Sequence, residues 1–142
     1  SRLISKIMFG AYNKRIKNVR TSNDWLTRDE TVVDEYNAGK LTTFLFTVNG
    51  YRGLMNMILY VRKPRNIAKI PKNLPMLMVS GLDDPVGEYG KGVYRAYNTY
   101  HGHIDDIDLR LFEDCRHELC NELNKEEIYE EIYGWIVDHM NK

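Results

Sequence analysis

Pro75-Met-Leu-Met-Val-Ser-Gly-Leu-Asp-Asp-Pro-Val-Gly87 contains the pattern from which the fold class follows. Its apolar run ends at Ser80-Gly81 and is short and continuous, as in a central strand buried on both faces of a parallel sheet. Residues 107–112 mostly alternate apolar and polar side chains, which predicts a second strand nearer a sheet edge. Between them, residues 88–100 are long enough for a crossover helix and carry apolar side chains at three- and four-residue spacing. The sequence therefore predicts an α/β fold built on a strand, helix, strand unit.

The loops that follow these two strands carry an aspartate and a histidine. Parallel strands end at the same edge of a sheet, so Asp84 and His117 are expected on one side of the molecule. A carboxylate beside an imidazole fixes the ring tautomer and stabilises the imidazolium that forms when the ring takes a proton. We therefore predict a catalytic site with Asp84 as the acid and His117 as the general base, and Asp83 as the less favoured acid. Taken singly, Asp84 also fits a turn or a helix cap, and His117 fits a surface histidine.

The chain from Asn73 onward resembles the C-terminal part of α/β-hydrolase serine hydrolases of the monoacylglycerol lipase and lysophospholipase-like group. The motifs of this resemblance are Pro75 to Gly87, Gly90-Lys-Gly-Val93, and Arg116-His-Glu118 followed by Asn121-Glu122. The N-terminal half resembles the cap that roofs the acyl site in these enzymes, through Phe9-Gly-Ala-Tyr-Asn-Lys-Arg15, Asp24-Trp-Leu-Thr-Arg-Asp29, Val33-Asp34 and Phe44-Leu-Phe-Thr47. The resemblance implies that Asp84 and His117 are the family's acid and base. It also implies a carboxylic ester substrate, such as a monoacylglycerol or lysophospholipid-type acyl ester, and no cofactor.

The chain lacks the nucleophile that this family requires. The family's serine lies in a Gly-x-Ser-x-Gly elbow on an earlier strand, and an earlier loop supplies the oxyanion hole. None of the candidate nucleophiles has glycines at that spacing: Ser1, Ser5, Ser22, Ser80, Cys115 and Cys120. We therefore expect the C-terminal portion of an α/β-hydrolase fold without the N-terminal half of its sheet. Such a chain should be inactive alone.

The expected organisation is a helical cap segment, residues 1–70, followed by the C-terminal part of the hydrolase core, residues 71–142. In the cap segment, a first helix carries an apolar stripe of Ile4, Ile7, Met8 and Ala11. A second helix is expected to start at the capping-box pattern Thr27-x-x-Glu30 and to stop at Gly39. A third is expected from Val48 to Arg62, burying Leu54, Met55, Ile58 and Leu59 and ending before Pro64, with residues 63–72 as the linker.

The last helix has the clearest sequence pattern. Asn124 is its predicted cap, with Glu127 at the reciprocal position. Its apolar stripe should pack on the sheet and consists of Ile128, Ile132, Trp135, Ile136 and Met140.

Composition limits the class of partner. The 20 basic and 20 acidic residues of the 142-residue chain cancel, so no overall charge favours nucleic acid. Two cysteines without a secretory segment indicate reduced thiols and a cytoplasmic protein. The basic run from Lys14 to Arg20 fits a solvated helix face, or peripheral contact with lipid headgroups.

Three further interpretations remain open. The chain could be a noncatalytic module derived from a hydrolase that binds an apolar ligand or a partner. Another alternative is a metal-dependent hydrolase that uses His101, His103, Asp105, Asp106 and Asp108, although polar residues are expected in such a connection between a helix and a strand. Core packing and an acyl channel are both compatible with Met8, Phe9, Phe44, Phe46, Met55 and Met57.

A first strand with an unpaired edge should recruit the missing half of the enzyme or a second copy of the chain.

Overall fold

The computed structural model describes residues 2–140. Its helices and strands have these bounds, in chain order: α1 Arg2–Phe9, α2 Glu30–Ala38, α3 Val48–Val61, α4 Pro64–Ile67, β1 Met76–Gly81, α5 Lys91–His101, β2 Ile107–Phe112 and α6 Lys125–Met140. A short 3-10 turn, Leu119–Asn121, lies between β2 and α6. No helix in residues 2–140 combines the length and apolar character needed to cross a membrane.

The predicted strand, helix, strand unit is present, and the α/β fold class is confirmed. Strands β1 and β2 pair in parallel, with Met76 opposite Ile107 and Gly81 opposite Phe112. Helix α5 connects them, but it begins at Lys91 and not at the expected residue 88. Helix α5 starts later because residues 88–90 have φ values of 52°, 57° and 82°, which a right-handed helix does not tolerate.

Strand β1 is less buried than its sequence indicates. Residues 76–79 are half-buried, and only Ser80 and Gly81 are fully buried. The prediction of burial on both faces is therefore wrong for most of the strand. The reason is that β2 is the only strand beside it in the part of the chain that the structure describes.

The core lies where α6 meets the ends of the two strands. Cys115, Leu119 and Ile128 form a buried cluster, and partly buried Val79, Phe112 and Ile132 pack against it. The packing of α6 on the sheet is thus confirmed for the first turns of its apolar stripe. Farther along α6, Ile136 and Met140 are exposed, whereas Trp135 and His139 of the same helix reach Asp108 and Asp106 at the start of β2.

Helix α2 starts and ends close to the predicted positions, but its cap is a different residue. The side chain of Asp29 accepts hydrogen bonds from the amides of Thr31 and Val32, whereas Thr27 was the predicted cap. Thr27 is fully buried, and its hydroxyl donates to the carbonyl of Asn121 at 2.7 Å. Gly39 ends the helix as expected.

The apolar stripe expected on α1 is incomplete, and the predicted burial of α3 is wrong. Helix α1 ends at Phe9, so Ala11 lies outside it, and Ile7 is 74% exposed. Helix α3 buries Tyr51, while three of its four predicted core residues are exposed: Met55, Ile58 and Leu59. The apolar residues are present, but within residues 2–140 little packs over them. The expected linker 63–72 contains the short helix α4, whose Ile67 is buried.

Candidate active site

Asp84 sits in a tight turn directly after β1. Its amide donates to the carbonyl of Gly81 at 3.3 Å, and its Oδ1 accepts from the amide of Val86 at 2.8 Å. An aspartate whose side chain accepts a hydrogen bond from a backbone amide two residues later forms an Asx turn, which fixes its rotamer. Because Asp84 is 6% exposed, the turn presents a carboxylate that is oriented and largely shielded from water.

The loop after β2 crosses the end of β1 at close range. The amide of Leu82 donates to the carbonyl of Phe112 at 2.9 Å, and the amide of Asp83 donates to the carbonyl of Cys115 at 2.9 Å. At Gly81 the approach is so close that a Cβ would lie 2.0 Å from the oxygen of Cys115. Only glycine fits at this position. The close approach that it permits brings the loop after β2 into contact with the turn after β1.

The two predicted site residues meet at this crossing. His117 Nδ1 lies 3.2 Å from Asp84 Oδ2, at the long end of hydrogen-bond range. The His117 side chain remains 37% exposed, and its Nε2 has no hydrogen-bond partner among residues 2–140. Asp83, the less favoured acid, is exposed. The arrangement leaves Nε2 available to a group that approaches from outside the described chain.

The local electrostatics favour a charged imidazole. The hydrogen bond to Asp84 raises the pKa of His117 above its usual value, and the charge of Asp84 and that of Glu118 add to the effect, against a partial desolvation that lowers it. Burial, and then the charge of Asp84, raise the pKa of the Tyr12 phenol. An imidazolium beside a carboxylate is what a general base needs after it has accepted a proton.

An aromatic wall lines the other side of His117. The Trp25 ring packs on the imidazole with centroids 5.1 Å apart, and Tyr12 packs edge-on against Trp25 at 4.9 Å. Phe9 extends this row, at 5.5 Å from Tyr12. The wall restricts the rotation of the imidazole and connects it to the surface beyond Trp25.

That surface is a groove of about 880 Å³ between α1 and the segment 41–46. Its lining combines apolar and aromatic residues, Phe9, Trp25, Leu41, Phe44, Phe46 and Tyr51 among them, with polar side chains that include Arg2 and Lys6. Three of the six residues considered for an acyl channel therefore lie in the groove, and Met8, Met55 and Met57 are not among its lining residues. Trp25 is the residue that both the groove and the His117 contact share.

The five residues considered for a metal site do not form one cluster. The His103 ring hydrogen-bonds the carbonyl of Ile70 at 2.7 Å, and the His101 ring packs on Tyr97. Asp106 and Asp108 instead lie near His139 of α6, with ligand atoms of the three within 4.8 Å of one another. Trp135 donates to Asp108 at 2.7 Å, and Arg110 lies 3.7 Å from Asp108, so protein groups already engage this carboxylate.

Two residues of the basic run have partners within the fold. The Arg15 guanidinium lies 3.6 Å above the ring of Tyr89. Arg20 pairs with Asp34 at 2.6 Å and with Glu30 at 3.4 Å. Lys14 and Lys17 are exposed.

Sequence reasoning missed the contribution of the segment 24–29 to the site. This segment was noted as a cap motif, yet Trp25 packs on the histidine, and the amide of Glu118 donates to the carbonyl of Leu26 at 2.7 Å. The available signal was an aromatic residue and an arginine within the motif Asp24-Trp-Leu-Thr-Arg-Asp29, but nothing local indicated contact with residues about 90 positions away.

Comparisons with known proteins agree with this architecture. Residues 1–124 match the family model described as "Serine aminopeptidase, S33". A highly thermostable carboxyl esterase from Bacillus coagulans, solved in complex with glycerol, superposes with a TM-score of 0.82 at 23% identity, over 99% of this chain and 45% of that chain. A lipase solved in its open form superposes with a TM-score of 0.80 at 24% identity, over 96% of this chain and 44% of that chain.

No curated protein matches the sequence. At such identities the two solved structures establish the fold, which is that of an α/β hydrolase. This chain spans less than half the length of either one.

Proposed function

Because the chain belongs to the serine aminopeptidase S33 family of α/β hydrolases, we propose that it is the part of a serine ester hydrolase that carries the acid and the base. The observation that supports this proposal is the contact of 3.2 Å between His117 Nδ1 and Asp84 Oδ2. In this proposal the nucleophile and the oxyanion hole are supplied from outside residues 1–142, which contain no Gly-x-Ser-x-Gly.

The proposed mechanism uses His117 as a proton carrier. Nε2 takes the proton from the serine hydroxyl as its oxygen attacks the acyl carbonyl, and Asp84 stabilises the imidazolium. The same proton then goes to the leaving alcohol, which departs and leaves an acyl-enzyme. A water molecule then attacks the acyl-enzyme, with His117 again as the base, and this step releases the carboxylic acid and the free serine.

The proposed substrate is an acyl ester of the monoacylglycerol or lysophospholipid type. The groove beside Trp25 supports this choice, because apolar and aromatic walls bind an acyl chain through area burial and need few directional contacts. Phe44 and Phe46, 5.2 Å apart and edge-on, lie along the groove and remain partly exposed. A long acyl chain would cover them.

The deciding experiment is ester turnover on p-nitrophenyl esters of short and long acyl chains. The chain is assayed alone, and then mixed with the polypeptide encoded immediately upstream of Ser1. Activity that appears only on mixing, and that disappears with His117→Gln, supports the proposal. An upstream sequence without a nucleophile elbow, or a mixture that stays inactive after complex formation is demonstrated, refutes it. Asp83→Asn is the matched control, because this carboxylate is exposed and should leave turnover unchanged.

A second candidate is a noncatalytic module that holds an apolar ligand. The observation that favours it is the exposed apolar surface of α3 and the segment before it, where Leu41 is 88% exposed and Leu59 61%. Retention of a fluorescent fatty acid by the chain, together with no rescue of ester turnover, supports this module over the hydrolase.

The open edge of β1 supports a proposed partner. An unpaired parallel strand offers a row of free amides and carbonyls to another chain. We propose that the edge binds the upstream half of the enzyme, and that the isolated chain self-associates through it. A concentration-independent monomer in sedimentation equilibrium contradicts the second expectation.

A further inference from the structure

The segment Asp24–Arg28 lies along the loop that carries His117, and backbone contacts join the two. The amide of His117 donates to the carbonyl of Trp25 at 3.4 Å, and the amide of Glu118 donates to the carbonyl of Leu26 at 2.7 Å. The histidine loop therefore rests on a segment from the other end of the chain.

Glu122 ties these two segments together through its carboxylate. It is fully buried, its Oε1 accepts from the amide of Arg116 at 2.7 Å, and its Oε2 accepts from Arg28 Nε at 2.8 Å. The amide of Arg28 also donates to both carboxylate oxygens, at 3.3 and 3.4 Å. A carboxylate taken wholly out of water is tolerated only when charged or polar partners compensate its desolvation, so these contacts fix its position.

Arg116, next to the histidine, is held from a second direction. Its Nη1 donates to the carbonyl of Asp24 at 2.6 Å and to that of Thr27 at 2.9 Å. Its own amide is the donor to Glu122. The backbone of the residue that precedes His117 is thus fixed at its amide and through its side chain at the same time.

We propose that Glu122, Arg28 and Arg116 are positioning residues that hold the His117 imidazole against Asp84. None of the three touches the reacting atoms in the mechanism given above, and each acts through the histidine loop. The consequence for catalysis rests on the proposed function, but the geometry itself does not. A displacement of about 1 Å at a reacting group can reduce turnover about 100-fold.

The titration of His117 reports this geometry directly. The charged groups that act on it are Asp84 from the turn after β1 and Glu118 from its own loop; the titratable Tyr12 interacts with Asp84 and with the uncharged Trp25 that packs on the imidazole. None of these four is altered by a substitution at Glu122 or Arg116. A changed titration in such a variant therefore reports a moved imidazole and not a lost neighbour.

The test is an NMR titration of the His117 ring in the full chain, with the Nδ1 proton followed as a marker of its bond to Asp84. In Glu122→Gln we expect the pKa of His117 to fall toward the ordinary value of about 6.5 and the Nδ1 proton signal to weaken. The control is Glu131→Gln, which removes a carboxylate that pairs with Arg110 at 2.7 Å on an exposed face. A folded Glu122→Gln chain whose His117 titrates as in the wild type overturns the proposal.

A second variant makes the test independent of charge and of folding yield. Arg116→Lys keeps the charge and leaves the pair between Arg28 and Glu122 in place, but a single ammonium does not reproduce the planar fork of the guanidinium. We expect the same direction of change in His117, and an unchanged titration overturns the proposal even if Glu122→Gln does not fold.

Activity separates this proposal from the proposed function. If the chain mixed with its upstream partner hydrolyses esters, Glu122→Gln should lower kcat about 100-fold with little change in KM. If the mixture has no activity, the proposed function fails, and the NMR result still decides the positioning role.

Discussion

The substitution Gly81→Ala tests whether the crossing of the two loops determines the site. The added Cβ would lie 2.0 Å from the oxygen of Cys115 and 2.3 Å from that of Arg116. Both atoms belong to the backbone, so no side-chain rotation relieves the clash. An ordinary contact begins at 3.4 Å, and the loop must therefore retreat by about 1.4 Å.

This retreat has a calculable effect on stability. Crowding a tightly packed site costs about 1–3 kcal/mol. Losing the bond from the amide of Asp83 to the carbonyl of Cys115 costs about 1 kcal/mol more. Alanine opposes this by about 0.4–1 kcal/mol, because it reduces the entropy of the unfolded chain. The unfavourable contributions of crowding and the lost hydrogen bond exceed the favourable entropy effect, and we expect a net loss of about 1–3.6 kcal/mol.

The same movement should separate the imidazole from its carboxylate. The distance of 3.2 Å between His117 and Asp84 is already near the limit of about 3.5 Å for a hydrogen bond, so a fraction of the retreat breaks the contact. Urea unfolding measures the stability, and NMR measures the pKa of His117, which should return toward its ordinary value.

Gly134→Ala is the control for this experiment. Gly134 lies within α6 with no atom within 4 Å of its added Cβ, so alanine should stabilise the helix by about 0.5–1 kcal/mol. If a Gly81→Ala chain is as stable as the wild type and its His117 titration is unchanged, then the close approach of the two loops at Gly81 does not determine the contact between His117 and Asp84, and the reasoning is refuted.

Three other predictions concern the core, the pH dependence and the dyad. Ile128→Ala should lower the free energy of unfolding in urea by about 2–5 kcal/mol, since the side chain is fully buried, whereas Ile136→Ala, at a position 42% exposed, should have a much smaller effect. The raised pKa of His117 means that the folded state binds its proton more tightly, so the stability lost in His117→Gln should be greatest below pH of about 6.5 and should shrink as pH rises through the raised pKa. Urea titrations at several pH values check this, and an effect that grows with pH contradicts it. Asp84→Asn should lower kcat of the reconstituted enzyme by about 10,000-fold, as measured by ester turnover, and residual activity close to that of the wild type would exclude Asp84 as the acid.

The parts of the fold that were predictable are those that local sequence determines. A continuous apolar run, a helix-length connection and a second alternating run define a parallel unit, and this topology alone places Asp84 and His117 at one edge. The observed pairing of β1 with β2 confirms that reasoning. The 3.2 Å contact at the ends of the strands then follows from the fold.

The burial of the N-terminal helices was not predictable in the same way. Periodicity shows which face of a helix is apolar, but not whether another element covers that face. Helix α3 illustrates the difference, because its spacing resembles that of a core helix and yet Ile58 and Leu59 are exposed. What covers a face is decided by tertiary or quaternary contacts that no short window contains.

Long-range contacts also changed the role of individual residues. Thr27 fits a capping box by its spacing, but its hydroxyl donates to Asn121, and Asp29 caps the helix. Glu122 was noted only as part of a family motif, and no local pattern predicts that it is fully buried among donors from a segment far away in sequence. Competition between a local and a distant hydrogen-bond partner is decided only when the chain is folded.

The ion pair between Arg28 and Glu122 joins residues 94 positions apart, which has a consequence for the order of folding. Closing so long a loop carries an entropic penalty before its contacts are gained, and chains rich in such contacts fold more slowly than chains whose contacts are local. The crossover unit from β1 to β2 can form from contiguous sequence. The contacts that hold the His117 loop against the segment Asp24–Arg28 can form only after these two distant segments have met. During synthesis, the His117 imidazole therefore reaches its position against Asp84 only after Glu122 has also been synthesised and has left the ribosome.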